Sequence, residues 1–270
     1  MAAEDDTGLL GGPAPAPART RRVAVVAHRG APLLARENTL ASLRAALALG
    51  ADWVEVDVRL ARCGTPVLLH DATLTRLWGL PRAVTDLDAA ELAALPGPGG
   101  AGVPTLREGL ALCAAGGVMV MVDVPGPAEG DASLALVREL GLLDSCVFAG
   151  DRTALARVRA SSEAARIALS WESFLPPRRS VLARIRPQYL NVEHHRVTRV
   201  LAAFARRRGL ALSVWTVDRP SRMVRVARLG ADVVITNDPA TLLTTLGCTP
   251  WGREAQPISG SAAGRDKPPT

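Results

Sequence analysis

Residues 53–71 read WVEVDVRLARCGTPVLLHD. This stretch holds two runs rich in β-branched residues, Trp53–Val58 and Pro66–Leu69, separated by little more than Ala61–Thr65. A parallel crossover needs a dozen or more residues, so so short a connection fits a hairpin. Centring the turn on Cys63-Gly64 pairs position 57 with position 70.

Outward from the hairpin, similar runs alternate with Ala/Leu/Arg-rich helical stretches. They are Val23–Ala27, Val118–Val124, Ser145–Ala149, Arg166–Leu169, Gln188–Val192, Leu210–Trp215 and Asp232–Thr236. Alternating βα units predict a parallel sheet. With Pro66–Leu69 set aside as an antiparallel arm, eight runs remain. The prediction is a (β/α)8 TIM-type barrel with an extra β-hairpin arm; an open doubly wound sheet is the alternative. One barrel of about 250 residues uses nearly all of the 270 present. Residues 1–20 are Ala/Pro/Gly-rich and residues 250–270 polar with Gly, Ser and Pro, so both read as flexible tails around a barrel domain at 21–249.

The composition, 48% hydrophobic and 21% charged, excludes wholesale disorder. The net charge of +6 comes almost entirely from arginine: Lys267 is the only lysine among 32 basic residues. A Walker-type phosphate loop and Schiff-base chemistry each need a lysine, so neither operates in the body of the chain. The arginines are dispersed, and the longest run, Arg206-Arg207-Arg208, closes a predicted helix where cations suit the dipole. No nucleic-acid partner is expected. Cys63, Cys113, Cys146 and Cys248 show neither a CxxC pair nor metal-site spacing, which reads as free thiols in a reducing compartment. No apolar stretch approaches the roughly 18 residues of a membrane span, and no signal-peptide apolar region opens the chain. A cytoplasmic protein without stable membrane insertion is expected.

Barrels of this kind carry their chemistry at the C-terminal ends of the strands. There the sequence places His28-Arg29-Gly30, Glu55 and Asp57, His70-Asp71, Asp123 and Trp215-Thr216-Val217-Asp218. Glu55 and Asp57 stand at i and i+2 of one strand and share a face. Carboxylates among Val54, Val56 and Val58 are costly inside a barrel unless compensated, and a hard divalent cation compensates them well. The competing reading turns the pair outward to solvent with the valines inside. Asp123 among Met121, Val122 and Val124 repeats the anomaly and favours a metal. His28 and His70 suit general base and general acid, and Arg29 offers a planar fork for phosphate or carboxylate. His194-His195 are read as capping the following helix or facing water.

These residues form an ordered pattern. His28-Arg29-Gly30, Glu37-Asn38-Thr39, Glu55-x-Asp57, Pro66-Val-x-x-His70-Asp71, Val103–Glu108, Trp215-Thr216-Val217 and Gly230–Pro239 resemble the signature of the glycerophosphodiester phosphodiesterase family, over about residues 23–240. The resemblance implies a barrel hydrolysing glycerophosphodiesters to sn-glycerol 3-phosphate and an alcohol. It implies His28 and His70 as catalytic, Glu55, Asp57 and Asp123 as ligands of Mg2+ or Ca2+, Arg29 as a phosphate contact and Glu37, near the site, as a further substrate-binding residue. Trp215 is the best of Trp78, Trp171, Phe174 and Trp215 for lining the alcohol pocket, while Trp53 reads as core. The thirty or so residues after Asp71 allow only a small cap segment. Four positions depart from the pattern. Asp123 stands for the usual glutamate and Pro125 for a phosphate-contacting lysine; Arg36 replaces a proline and Cys63 a turn aspartate. The alternatives are a lysophospholipase D-like activity and a barrel that binds a phosphorylated ligand without turnover.

Overall fold

The computed structural model describes residues 23–97 and 102–247. The expected tails at 1–20 and 250–270, and Cys248, lie outside the described residues. Among the described residues nine strands form: β1 Ala24–Ala27, β2 Trp53–Leu60, β3 Pro66–Leu68, β4 Met119–Val124, β5 Cys146–Gly150, β6 Arg166–Trp171, β7 Tyr189–Glu193, β8 Ala211–Trp215 and β9 Val233–Thr236. Around the ring they run β1-β2-β4-β5-β6-β7-β8-β9, all parallel, and β9 pairs back onto β1. The closed eight-stranded barrel is therefore present, and the open-sheet alternative is excluded. β3 pairs antiparallel to β2 outside the ring, as the short connection requires.

Helices α1 Leu40–Leu49, α4 Leu106–Ala115, α5 Pro127–Glu139, α6 Arg152–Ser161, α7 Arg179–Ile185, α8 Arg199–Arg207, α9 Pro220–Arg228 and α10 Pro239–Leu246 join successive strands or close the chain onto the barrel. Their ends follow local chemistry. The Thr39 hydroxyl accepts from the Ser42 N–H to open α1, and Gly50, at φ 83°, ends it. Thr105 and Glu108 close a reciprocal capping box on α4.

The barrel strands sort their residues by alternation into two clusters. Val25, Ala27, Val54, Val56, Val58, Val120, Val122 and Val124 pack in the large cluster under the helices. Val26, Trp53, Met121, Val147, Ala168, Val233 and Ile235 fill the barrel interior, where Trp53 meets Tyr189 edge-on. Glu55 and Asp57 alternate with the valines and so share the side of Trp53; Asp123 shares that of Met121. The valines face the helices and the carboxylates face inward, which rules out the solvated-pair reading.

The hairpin register differs from the expected one. Val58 pairs with Leu68 and Arg59 with Val67, and the Leu69 N–H donates to the Asp57 carbonyl at 3.1 Å. Position 57 thus opposes position 69, not 70. Gly64, at φ 77°, sits in a loop that Ala61 and Thr65 close with one hydrogen bond. The loop holds three residues rather than two, and the extra residue slips the register by one. His70 reaches the strand-end face because the chain bends just after β3.

The segment after Asp71 is the expected small cap. It contains α2 Thr75–Trp78, a 3-10 turn at Val84–Asp86 and α3 Ala89–Ala93. Leu69, Leu74, Val84, Leu87, Leu92 and Val103 give it a core of its own. At the other end of the barrel, the buried Arg159 guanidinium donates to the carbonyls of Ile185, Ser162, Ala165 and Arg186. It ties the α6–β6 connection to the α7–β7 connection. No helix among the described residues is long and apolar enough to cross a membrane.

Candidate active site

A cavity of about 370 Å³ opens at the C-terminal ends of the barrel strands, and its lining includes His28, Arg29, Glu55, Asp57, Arg59, His70, Asp123, Pro125 and Trp215. The residues expected to act together therefore share one cavity, with the exception of Glu37.

His28 follows β1 directly. Its Nδ1 lies 2.8 Å from Asn237 Oδ1, and the Asn237 Nδ2 donates to Asp218 Oδ2 at 2.8 Å. Asp218 Oδ1 also accepts from the Asn237 backbone N–H at 2.8 Å. A carboxylate accepts, so the Asn237 amino group is committed to Asp218, and Asn237 Oδ1 accepts the His28 Nδ1 hydrogen. That leaves the lone pair on Nε2, which lies 3.8 Å from Glu55 Oε2. Burial, and then the Arg29 charge, hold the imidazole below its ordinary pKa.

Arg29 turns the chain with φ 57° and sends its backbone N–H to Glu55 Oε2 at 2.9 Å. Its guanidinium lies between two acids: Nη1 donates to Glu37 Oε1 at 2.9 Å, and Nε pairs with Asp57 Oδ2 at 3.0 Å. Gly30 follows at φ 84°, where a Cβ would come within 2.3 Å of Ser42 Oγ. Only glycine fits there. Glu37, expected to bind substrate, does not line the cavity, because both its oxygens are taken by arginines. It holds Arg29 and also accepts from the Arg76 guanidinium at 2.7 and 3.1 Å. Asn38, fully buried at φ 54°, donates from Nδ2 to Asp57 Oδ2 at 2.7 Å and accepts the Asp57 backbone N–H at 3.1 Å.

Asp57 and Asp123 are direct neighbours across β2 and β4. Burial, then the charges of Asp57 and Asp123, push Glu55 well above the carboxylate range. Burial, then Asp57, pushes Asp123 up to about 7. Glu55 and Asp123, so raised, show a site short of positive charge, and the oxygens of these two and of the inward Asp57 fit a hard divalent cation. Their ligand oxygens do not all lie within 4.8 Å of one another. Among the described residues, Glu193, His194 and His195 are the trio that does.

The His70 carbonyl accepts from Arg59 Nε at 2.9 Å and Nη2 at 2.7 Å. His70 Nδ1 lies 2.7 Å from Asp71 Oδ1, while Asp71 Oδ2 accepts from Arg76 Nε at 2.6 Å. The Arg76 bond, and then the His70 bond, hold Asp71 down at about 2. Asp71 is therefore an acceptor, and the Nδ1 hydrogen of His70 points to it.

Trp215 lines the cavity and donates from Nε1 to the Asn191 carbonyl at 3.3 Å. Trp78, Trp171 and Phe174 do not line it, which corrects that expectation for three of the four aromatics. Trp53 is core, as expected. His194 and His195 do not cap α8, because Thr198 accepts the Leu201 N–H there. Sequence reasoning assigned no role to Asn38, Arg59, Asp218 and Asn237. Asn38 and Asn237 stand in the quoted motifs and Asp218 at a quoted strand end, but nothing in the sequence shows their partners. Arg59 had a usable signal: it stands two residues beyond Asp57 in β2 and so shares its face.

The sequence pattern of the family described as "Glycerophosphoryl diester phosphodiesterase family" matches residues 28–241. A glycerophosphodiester phosphodiesterase of Caldanaerobacter subterraneus is 27% identical over 232 residues, covering 81% of this chain and 96% of that one. The crystal structure of a putative glycerophosphoryl diester phosphodiesterase from Silicibacter pomeroyi aligns with a TM-score of 0.75 at 25% identity, covering 83% of this chain and 92% of the other. A phosphodiesterase of Oleispira antarctica, solved with its product sn-glycerol 3-phosphate, aligns with a TM-score of 0.78 at 22% identity, covering 83% and 96%. With the matched segment spanning the barrel from the first histidine to the last helix, the chain belongs to the glycerophosphoryl diester phosphodiesterase family, a family of phosphoric diester hydrolases.

Proposed function

We propose that the barrel domain, residues 21–249, hydrolyses glycerophosphodiesters to sn-glycerol 3-phosphate and an alcohol, with a divalent metal and two histidines. The observation that carries this reading is one cavity holding His28, His70 and three inward carboxylates. Glu55, Asp57 and Asp123 would hold Mg2+ or Ca2+. When bound, the ion supplies polarisation of the phosphoryl oxygens and offsets the charge that develops on them.

The tautomer set by Asn237 supports His28 as the base. Its Nε2 takes a proton from the nucleophile, either water or the substrate's own glycerol hydroxyl, as that oxygen bonds to phosphorus. The bond from phosphorus to the alcohol oxygen breaks, and His70 delivers a proton to that oxygen. Asp71, paired to the other ring nitrogen, orients His70 for the transfer. Attack by water gives glycerol 3-phosphate directly. Attack by the glycerol hydroxyl gives a cyclic glycerol phosphate, which a water then opens: the water oxygen bonds to phosphorus and gives up a proton, the ring P–O bond breaks, and the freed hydroxyl regains a proton. Arg29 faces the phosphate while Glu37 and Asp57 hold it in place, so Glu37 serves as its support. Arg59 is proposed as the second phosphate contact; its Nε and Nη2 are engaged by the His70 carbonyl and Nη1 remains. Trp215 gives the organic part of the substrate an aromatic wall.

The test is release of glycerol 3-phosphate from glycerophosphocholine and from the glycerophosphodiester of p-nitrophenol, with Mg2+ or Ca2+. His28→Ala and His70→Ala should each lower kcat on glycerophosphocholine by roughly 10²–10⁴. The His70→Ala deficit should shrink on the p-nitrophenyl ester, whose leaving group needs no proton, and the His28→Ala deficit should persist. Equal deficits on both substrates would reject the division of roles. No release from any glycerophosphodiester by the wild type would reject the function.

A further inference from the structure

Scattered single apolar residues on a surface are ordinary, but here their distribution is not random. Among the described residues the strongly exposed large hydrophobics are Leu33, Leu34, Phe174, Leu175 and Val200, each 54–73% exposed. Leu33 and Leu34 lie in the β1–α1 connection, Phe174 and Leu175 in the β6–α7 connection, and Val200 in the first turn of α8, after β7. All three segments follow the C-terminal end of a strand, so all three stand at the end of the barrel where the cavity opens. In the ring order, β1 and β6 are diametrically opposite. The two loops that carry Leu33, Leu34, Phe174 and Leu175 therefore rise on opposite sides of the barrel end that holds the cavity.

The same segments carry positive charge. Arg178, Arg179 and Arg199 are exposed beside Phe174, Leu175 and Val200, and the Arg196 guanidinium lies 4.9 Å from the centre of the Phe174 ring. Glu37, Glu172 and Glu193 are the acidic residues in these three segments; Glu37 is paired with Arg29 and Arg76, and Glu193 with Arg196 at 3.6 Å. The loop tip is anchored, because the Trp171 Nε1 donates to the Leu175 carbonyl at 2.7 Å. Exposed apolar side chains with arginines beside Phe174, Leu175 and Val200, at the barrel end that must admit substrate, match an anionic lipid surface: the side chains enter the acyl boundary while the guanidinium groups meet the head groups.

We propose that this face docks reversibly on anionic lipid surfaces with the cavity mouth turned toward them, so that glycerophosphodiesters anchored by an acyl chain are delivered to the site. The substrate part of this proposal rests on the hydrolytic reading above; the docking part does not. The phosphodiester would descend to the cavity while the apolar tail stays among Leu33, Leu34, Phe174 and Leu175.

The test is sedimentation of the full chain with phosphatidylcholine vesicles, with and without phosphatidylglycerol. Pelleting is expected with the anionic vesicles and should weaken with salt. Phe174→Ser/Leu175→Ser, and separately Leu33→Ser/Leu34→Ser, should reduce binding by about tenfold or more. Arg178→Glu/Arg179→Glu should reduce it on anionic vesicles only. All three variants should hydrolyse glycerophosphocholine like the wild type but lose turnover of lysophosphatidylcholine presented in those vesicles. Docking is overturned if the wild type stays in the supernatant, if the apolar variants pellet equally, or if the chain instead forms a dimer that these substitutions dissociate. Failure of the wild type to hydrolyse glycerophosphocholine would overturn the catalytic reading alone, since the pelleting comparison needs no turnover.

Discussion

Arg59 and Pro125 each stand two residues beyond the paired Asp57 and Asp123, and both line the cavity. A phosphate-binding cation absent at position 125 is thus available from the neighbouring strand. Arg59→Gln should raise KM for glycerophosphocholine by about tenfold, the scale of one charge-assisted hydrogen bond. Adding Pro125→Lys to that variant should recover part of the loss; a double variant no better than Arg59→Gln would mean that position 125 does not reach the phosphate. Asp71 gives a second expectation at this scale. Its folded pKa of about 2 lies below the ordinary 3.8, so its contribution to stability is complete above about 4. That contribution is lost as pH falls through about 2. The Tm gap between the wild type and Asp71→Asn should therefore be constant above pH 5 and close as pH drops toward 2. A gap that stays open at the lowest pH would show that the Arg76 and His70 contacts do not set its size. The residues legible in the sequence were those out of place in their own strands: Glu55 and Asp57 among valines, and a histidine just past a strand. Asn237 was illegible because an asparagine before Asp-Pro is an ordinary turn signal, and its partner His28 lies 209 residues away.

At the scale of elements, alternation of runs was enough for the ring, and the length of one connection separated the arm from it. The register was another matter. A two-residue turn and a three-residue turn with a left-handed glycine both fit Cys63-Gly64, and the difference moves every pairing by one. His70 still reaches the cavity through the bend after β3, so the right residue was chosen by a register that does not exist. Arg159 shows the opposite failure. In a chain with 31 arginines it looks like another surface cation, yet it is buried and bonded to the carbonyls of two connections. Replacing it with a side chain that cannot donate leaves those carbonyls unpaired. Arg159→Met should cost about 3 kcal/mol, near the upper range for a buried charged donor. Urea unfolding with an unchanged m-value would measure it, and a loss within the error of wild type would mean that water replaces the guanidinium.

Taken as a whole, the molecule concentrates its unfavourable electrostatics in one place. The barrel interior is apolar around Trp53, Met121 and Ile235, and it ends in Glu55, Asp57 and Asp123. The Arg29 charge acts on all three, but Glu37 shares it. Metal-free protein should therefore carry a stability deficit that a divalent ion removes. Ligand binding to the folded state alone raises stability by about 2.7 kcal/mol at a hundredfold excess over Kd. The Tm of protein dialysed against chelator should rise on adding Mg2+ or Ca2+, and hydrolysis should return with it. Asp123→Asn separates the two effects. Removing one buried charge should make the chelated variant more stable than chelated wild type at neutral pH or above. The same change takes away a ligand, so the ion-induced rise in Tm should shrink and the metal concentration needed for activity should increase more than KM does. A variant less stable than wild type in chelator would mean that Asp123 makes contacts worth more than its charge costs. An undiminished metal response would withdraw Asp123 from the site, leaving Glu55 and Asp57 to hold the ion.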